Sequence, residues 1–347
     1  MKIDLSNHIV ELIDKYHESK AEQPRAYLGA SLLGHECSRY LWYTFRWAYK
    51  QTFPGRVLRL FRRGQMEEET IVSDLRAIGV DMRYVGTHQL ELNIAPHLGG
   101  HPDGVAVSGV PTAKKTPHIT EFKTHNKKSF DDLVKNGVEK AKFMHYIQMQ
   151  IYTRRKALTR ALYYAICKDD DRVYTERIKL DIEVADKYIK RGVDITLAEH
   201  APSRMSENPT WYQCKWCPAY DLCHKSKLTK EVNCRTCAHS TALSDGTWKC
   251  EKWDDIIPTE FQHKGCRSHV LHPDLVPWEM EPVDEWNCSY DGKTNGEDGV
   301  SSLEIIYGVI GKVASEFDGT IESGEGSPGG EFGRIYNKER DIPKEVK

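Results

Sequence analysis

Residues 99–107 read GGHPDGVAV and residues 118–125 read HITEFKTH. Both are short apolar β patterns that carry charge where a core strand should carry none. In the first, His101, Pro102 and Asp103 interrupt the run. In the second, Glu121 and Lys123 lie one residue apart and so project from the same face of their strand. RYVGTHQLEL (83–92) precedes them as another strand pattern, and SGVPTAKKTP (108–117) separates them as a turn-rich, basic hairpin loop. If the two strands are neighbours, two carboxylates and an ammonium converge on one place.

Outward from this centre, helical and strand periods alternate. Residues 2–20 form an amphipathic helix whose apolar side is Ile9, Val10, Leu12, Ile13 and Tyr16. A connector (23–36) leads to an aromatic helical stretch, CSRYLWYTFRWAYK (37–50), and a second helix runs from Arg56 to Ile78. Beyond the strands, 130–137 and 141–157 return to helical period. RALYYAICK (160–168) and RVYTERIKL (172–180) read as a hairpin, and 181–200 as a last helix. This order implies an α/β (α+β) class with a mixed central β-sheet flanked by helices, rather than a doubly wound parallel sheet.

After Pro202 the texture changes to Cys, Trp, His and Pro, and from about residue 285 to Gly, Ser and acids. A chain of 347 residues exceeds one ordinary domain. The expected segments are 1–228, a Cys-rich metal-binding appendage at 229–284, and an acidic tail at 285–347.

The hydrophobic fraction is lean at 39%, but 17 Tyr, 9 Phe and 8 Trp supply material for a core. No run of 18 apolar residues occurs, and the charged N-terminus lacks a signal-peptide core, so a cytoplasmic protein without membrane contact is expected. The net charge of −2 is uninformative until it is divided. Residues 281–347 hold 15 Asp/Glu against 7 Lys/Arg, a net of −8, which leaves +6 on residues 1–280. The basic groups cluster as Arg56/Arg59/Arg62/Arg63, Lys123/Lys127/Lys128 and Arg154/Arg155/Lys156. Any one cluster reads as a solvated face; three around one site point to a polyanion.

Mg²⁺ or Mn²⁺ takes oxygen ligands, commonly carboxylates with water and substrate phosphate. Asp103 and Glu121 can supply two, and Lys123 can hold a water or neutralise charge on phosphate. Taken singly, Glu-x-Lys is more often an exposed charge pair and Pro-Asp a turn. In the preceding helix, Phe61, Gly64, Ile71, Val72, Leu75 and Ile78 mark an apolar stripe on which Glu68 falls. A carboxylate there is costly unless it is paired or bound to metal. Gln148 and Tyr152 sit at i and i+4 on one helix face, ordinary alone but placed to position DNA or the lysine.

The ordered set Gly64-x-x-x-Glu68, Pro102-Asp103, Glu121-x-Lys123 and Gln148-x-x-x-Tyr152 resembles the PD-(D/E)XK nuclease superfamily, RecB-type branch, over residues 30–225. Glu68 replaces the commoner His. The resemblance implies a restriction-endonuclease-like core and a Mg²⁺- or Mn²⁺-dependent DNA phosphodiesterase. Asp103, Glu121, Glu68 and the Phe122 carbonyl would serve the metal; Lys123, Gln148 and Tyr152 complete the site.

Ten cysteines in a chain of this kind favour metal over disulfides. Cys214-x2-Cys217-x5-Cys223 lacks a fourth local sulfur, which distant Cys37 could provide. The layout resembles iron–sulfur nucleases of the AddB type and of the CRISPR adaptation apparatus, and so implies a structural [4Fe–4S] cluster. Zn²⁺ on the same sulfurs, or with His224 replacing one, is the rival. Cys234-x2-Cys237-x12-Cys250-x15-Cys266 forms a second quartet, read as a Zn²⁺ site with His239, His263 and His269 as possible substitutes and Trp248 and Trp253 packing around it. A second iron–sulfur cluster is the alternative. Cys167 and Cys288 stay unassigned.

The resulting expectation is an exonuclease acting on DNA ends or single strands. Its standalone form is similar to phage and mobile-element DNA-processing nucleases, with a single-strand-annealing or recombination protein as partner. The chain has no Walker-type Gly-x-x-x-x-Gly-Lys-Ser/Thr run. The competing readings are a noncatalytic DNA-binding scaffold with two metal sites, and an iron–sulfur redox protein, which leaves the carboxylate–lysine set unexplained.

Overall fold

The extended pattern around residue 120 forms a strand that pairs on both sides. The computed structural model describes residues 5–20, 23–266, 269–277, 281–282, 288–290 and 293–295. Most of the acidic segment expected at 285–347 therefore lies outside the described residues. The helices are α1 (Leu5–Glu18), α2 (Ser38–Phe45), α3 (Gly55–Ala77), α4 (Lys127–Ala141), α5 (Phe143–Arg155), α6 (Ile182–Thr196), α7 (Tyr212–Lys215), α8 (Tyr220–His224) and α9 (Thr259–Gln262). The strands used below are β1 (Leu28–Gly29), β2 (Asp81–Arg83), β3 (Leu92–Ala95), β4 (Leu98–Gly100), β5 (Gly104–Ser108), β6 (His118–His125), β7 (Arg160–Cys167), β8 (Val173–Lys179), β9 (Ser240–Ala242), β10 (Trp248–Cys250) and β11 (Asp255–Ile256). Among the described residues no helix is long and apolar enough to cross a membrane.

The chain divides into two compact units: Met1–His35 with Thr52–Val193, and Glu36–Gln51 with Asp194–Lys347. The second gathers both cysteine-bearing segments with α2, which the sequence reading distributes over two segments.

The first unit holds a five-stranded mixed sheet in the order β2-β5-β6-β7-β8. β6 pairs antiparallel with β5 and parallel with β7, and β8 closes the hairpin with β7. A mixed sheet flanked by helices is what the order of periods implies. On one face, Ile71, Val72 and Leu75 of α3 pack with Met82, Ala106, Phe122, Leu162 and Tyr164. The expected stripe on α3 is buried only in this half: Phe61 and Ile78 at its ends are exposed. The apolar side expected on α1 is likewise exposed.

α5 explains itself by burial. Every residue from Tyr146 to Thr153 is buried, so the helix shows no polar face. It touches β6 and β7 of the large sheet and β3 of a small sheet ordered β1-β4-β3. Polar side chains on such a helix need internal partners. Gln150 finds them at the end of β8, donating to the Lys179 carbonyl (3.0 Å) and accepting from the Asp181 N–H (2.8 Å).

Two expected strands are each divided. GGHPDGVAV is not one strand: Leu98–Gly100 belongs to the small sheet and Gly104–Ser108 to the large one, with His101-Pro102-Asp103 crossing between them. RYVGTHQLEL is mostly not strand: only Arg83, ending β2, and Leu92, opening β3, lie in strands, with a 3₁₀ turn (Gly86–His88) between them. Period-2 alternation marks extended chain but not which sheet receives it.

In the second unit, α2 buries Leu41, Trp42, Tyr43 and Phe45, and β9, β10 and β11 form a small antiparallel sheet.

Candidate active site

β5 and β6 bring the carboxylates together. Gly104 pairs with Thr120, which sets Asp103 just beyond the paired register and beside Glu121. The approach is close enough to need glycine: a Cβ on Gly104 would stand 2.7 Å from Val85 Cγ1 and 3.1 Å from Thr120 Oγ1. Asp103 then takes the place of a missing strand partner, its Oδ2 accepting the Phe122 N–H at 2.6 Å. The side chain is thereby fixed by the backbone of the strand that carries Glu121 and Lys123.

Glu121 is fully buried, on the face of β6 opposite Phe122. Its Oε1 is paired with the Lys123 ammonium, and its Oε2 has no hydrogen-bond partner among the described residues. Burial pushes its carboxyl up to about 8; Lys123 opposes that shift, and the charges of Asp103 and Glu68 add to it. Lys123 Nζ also donates to the Phe122 carbonyl (3.0 Å) and stands 3.8 Å from Asp103 Oδ2. Burial works against its charge, but the two carboxylates outweigh it and hold the ammonium above the ordinary lysine range. The ammonium thus stands among the same oxygens that the sequence reading gives to a cation.

Glu68, half-buried on α3, belongs to this electrostatic group. Burial and the Asp103 charge raise its carboxyl to about 7, against the pull of Lys123. A Cβ on Gly64, one turn earlier, would meet nothing within 4 Å, so no packing in the chain demands glycine there. Gln148 and Tyr152 approach from α5, both buried. Burial raises the Tyr152 hydroxyl above its usual range, as does the Glu121 charge, while Gln148 lies within hydrogen-bonding reach of it. Gly100 receives the phenol: a Cβ there would stand 2.3 Å from the Tyr152 oxygen. All six residues singled out around the carboxylates therefore come together. His101 stands apart, its ring 6.4 Å from that of Tyr27.

Sequence reasoning missed a polar chain on the same sheet face. Tyr163 of β7 is in register with Glu121, and its hydroxyl bonds His125 Nε2 (2.9 Å) and His145 Nδ1 (3.0 Å). His125 Nδ1 continues to Ser129 Oγ (3.1 Å). Burial, then nearby lysine charge, pushes His125 down to about 4 and His145 to about 3. The alternation that pairs Glu121 with Lys123 extends to His125, so this much was available in the sequence.

The three basic clusters are less open than expected. Arg59 pairs with Asp14, Arg154 with Asp186 and Lys127 with Asp170, and Arg155 donates to the Asn93 carbonyl. These groups are spent at least partly within the chain.

In the second unit Cys37, Cys214, Cys217 and Cys223 line one cavity with Arg39, Tyr43, Arg204 and His224. Cys37 caps α2, its sulfur accepting the Tyr40 N–H at 3.4 Å. Burial pushes the Cys217 thiol up to about 11; Ala219 N–H opposes, and the three other sulfurs reinforce. Cys234, Cys237, Cys250 and Cys266 line a second cavity with His239, Trp253 and His269. His263 instead stacks on Trp47, with centroids 4.1 Å apart. Among the described residues, no group of three or more His, Cys, Asp or Glu is arranged to hold a metal ion as it stands.

No family model and no curated protein matches the chain. Solved structures to which it is similar include SSO0001, at 16% identity and a TM-score of 0.38, covering 63% of this chain and 95% of that one. LHK-Exo in complex with dAMP matches at 15% identity and a TM-score of 0.37, covering 53% and 90%. The alkaline exonuclease LHK-Exo from Laribacter hongkongensis matches at 15% and 0.35, with the same coverage. Likenesses of this strength carry no argument about fold or chemistry, which rest on the residues themselves.

Proposed function

We propose that the chain is a divalent-metal-dependent deoxyribonuclease, an exonuclease acting on DNA ends or single strands. The observation that carries the reading is the buried Glu121 carboxylate, one oxygen without a donor, held beside Asp103 and Lys123 on adjoining strands. Lys123 serves one of its oxygens, and a further cation would satisfy the other.

The donor set suits Mg²⁺ or Mn²⁺ in kind, with carboxylates from Asp103, Glu121 and Glu68 and a carbonyl from Phe122. When bound, such an ion supplies Lewis-acid polarisation of a phosphate and eases deprotonation of water. Lys123 would turn outward from the oxygens as the ion arrives. As an ammonium it acts there as a hydrogen-bond donor. It orients the attacking water and offsets charge building on the phosphate oxygens. Water adds to phosphorus and gives up a proton to solvent, one P–O ester bond opens, and the leaving oxygen takes a proton from solvent. Tyr152, buried against Gly100 and within reach of Gln148, supports the carboxylates and the lysine from the protein side. Gly64 leaves the exposed face of α3 without a side chain where a nucleic-acid backbone can approach.

We assign the first cysteine quartet to a structural [4Fe–4S] cluster held by Cys37, Cys214, Cys217 and Cys223. Anaerobically purified protein should show visible thiolate-to-iron absorbance that disappears in Cys217→Ala.

The deciding experiment compares wild type with Lys123→Ala on end-labelled single- and double-stranded DNA in Mn²⁺, one end blocked in turn. Wild type should release short products from the free end, with Lys123→Ala slower by about 100-fold or more. Equal cleavage by both proteins, or none by either, sinks the reading. Internal cuts with both ends blocked would make it an endonuclease.

A further inference from the structure

The second unit buries two guanidiniums beside its second cysteine quartet. Arg235, only 1% exposed, lies inside the Cys234–Cys237 turn, where the Cys237 N–H returns to the Cys234 carbonyl at 3.1 Å. Its guanidinium sits 3.9 Å from the Trp47 ring centroid and donates to Gln262 Oε1 and to the Phe45 carbonyl. Arg46, 4% exposed, lies over Trp42 (4.8 Å) and Trp248 (5.5 Å) and donates to the Arg235 carbonyl at 3.1 Å. Aromatic faces recover part of the cost of burying each cation. Asp274 offsets part of the Arg46 charge, and the pair of cations still accommodates further negative charge nearby.

The cysteines can provide it. The sulfur of Cys237 receives the backbone N–H groups of His239 and Val270, and that of Cys250 those of Lys252 and Trp253. Burial, the larger effect, pushes the Cys234, Cys237 and Cys250 thiols up; the N–H donors on Cys237 and Cys250 oppose that shift and suit sulfur that ligates a cation. Four bare thiolates at this separation would repel one another, so the anionic form needs a cation at its centre. Cys234 Sγ is turned toward the Lys264 carbonyl (3.2 Å), and the side chains must rearrange to converge on one ion.

We infer that Cys234, Cys237, Cys250 and Cys266 hold one Zn²⁺ as a four-thiolate centre, and that the buried cations Arg46 and Arg235 offset its charge. Binding releases the thiol protons; four thiolates around a divalent ion leave two negative charges beside the two guanidiniums. His269 Nε2 is engaged with Thr236 Oγ1 (3.1 Å), which favours sulfur over that ring nitrogen as a ligand. Cys234 and Cys237 are joined by a single turn, while Cys250 ends β10 and Cys266 follows α9. The ion therefore ties the small sheet to the segments on either side of it.

Elemental analysis of the intact chain is the test. One zinc per chain is expected in wild type, lost in Cys250→Ser and Cys266→Ser and kept in His239→Ala and His269→Ala. Arg46→Met should keep the stoichiometry but weaken zinc affinity about ten- to hundredfold against a competing chelator. Should the cysteine variants fail to fold, alkylation of wild type decides. All four thiols should be protected until chelator is added and then react. Unchanged zinc in Cys250→Ser, loss of iron in its place, loss in the histidine variants, or chelator-independent alkylation each overturns the inference. None of these readings uses DNA, so a zinc-loaded chain that cleaves nothing would sink the nuclease and leave this site standing.

Discussion

At the scale of single residues, the site depends on side chains that are absent as much as on those present. Gly100 leaves the space that the Tyr152 hydroxyl fills, and Gly104 lets β5 close on Thr120 so that Asp103 reaches the Phe122 N–H. Gly100→Ala should displace the phenol, because a methyl 2.3 Å from its oxygen leaves no room. The expected cost is about 1–3 kcal/mol in urea denaturation, with a parallel loss of DNA cleavage. A variant of unchanged stability and rate would show that Tyr152 does not rely on this contact. Asp103, Glu121 and Lys123 were legible in the sequence because carboxylates and an ammonium in strand patterns violate the core rule. Tyr163 was not, since a tyrosine in a β pattern violates nothing. Only its register opposite Glu121 brings it to the site.

At the scale of elements, α5 shows two glutamines two residues apart with different tasks. Gln148 lies within reach of the Tyr152 hydroxyl, whereas Gln150 ties α5 to the end of β8 through Lys179 and Asp181. Gln150→Leu should lower stability by about 1–2 kcal/mol through loss of two backbone partners. Cleavage per folded molecule should stay at the wild-type rate, measured alongside the denaturation midpoint. A large fall in rate at unchanged stability would place Gln150 in the site instead. The period of residues 141–157 identifies the helix, but its burial on all sides follows from the two sheets that enclose it. For the same reason GGHPDGVAV reads as one strand and is two: alternation is local, and sheet membership is decided by partners far away in the chain.

At the scale of the whole molecule, burial of neutral imidazoles governs the response to acid. Burial pushes His118 down, and His125 and His269 to about 4, His145 and His272 to about 3. Unfolded histidines titrate near 6.5, so below that pH the unfolded chain binds the more protons. Stability should therefore fall as pH drops from about 6.5 toward 4, by at most about 1.4 kcal/mol per pH unit for each group. Glu68 and Glu121, raised to about 7 and about 8, work in the opposite sense above their unfolded values. The histidines outnumber them. Thermal midpoints between pH 7 and 5 check this, and a midpoint that rises on acidification contradicts it; His272→Gln should flatten the slope. The sequence by itself determined the mixed α/β character, the carboxylate–lysine set and the two groups of four cysteines, because period and residue chemistry are local properties. Tertiary structure alone decided which strands join, that α2 and both cysteine groups share a unit, and that Arg46 and Arg235 are buried near sulfur. Those outcomes depend on packing between residues up to about 190 positions apart, as in the Arg235–Phe45 hydrogen bond, and no local pattern encodes it.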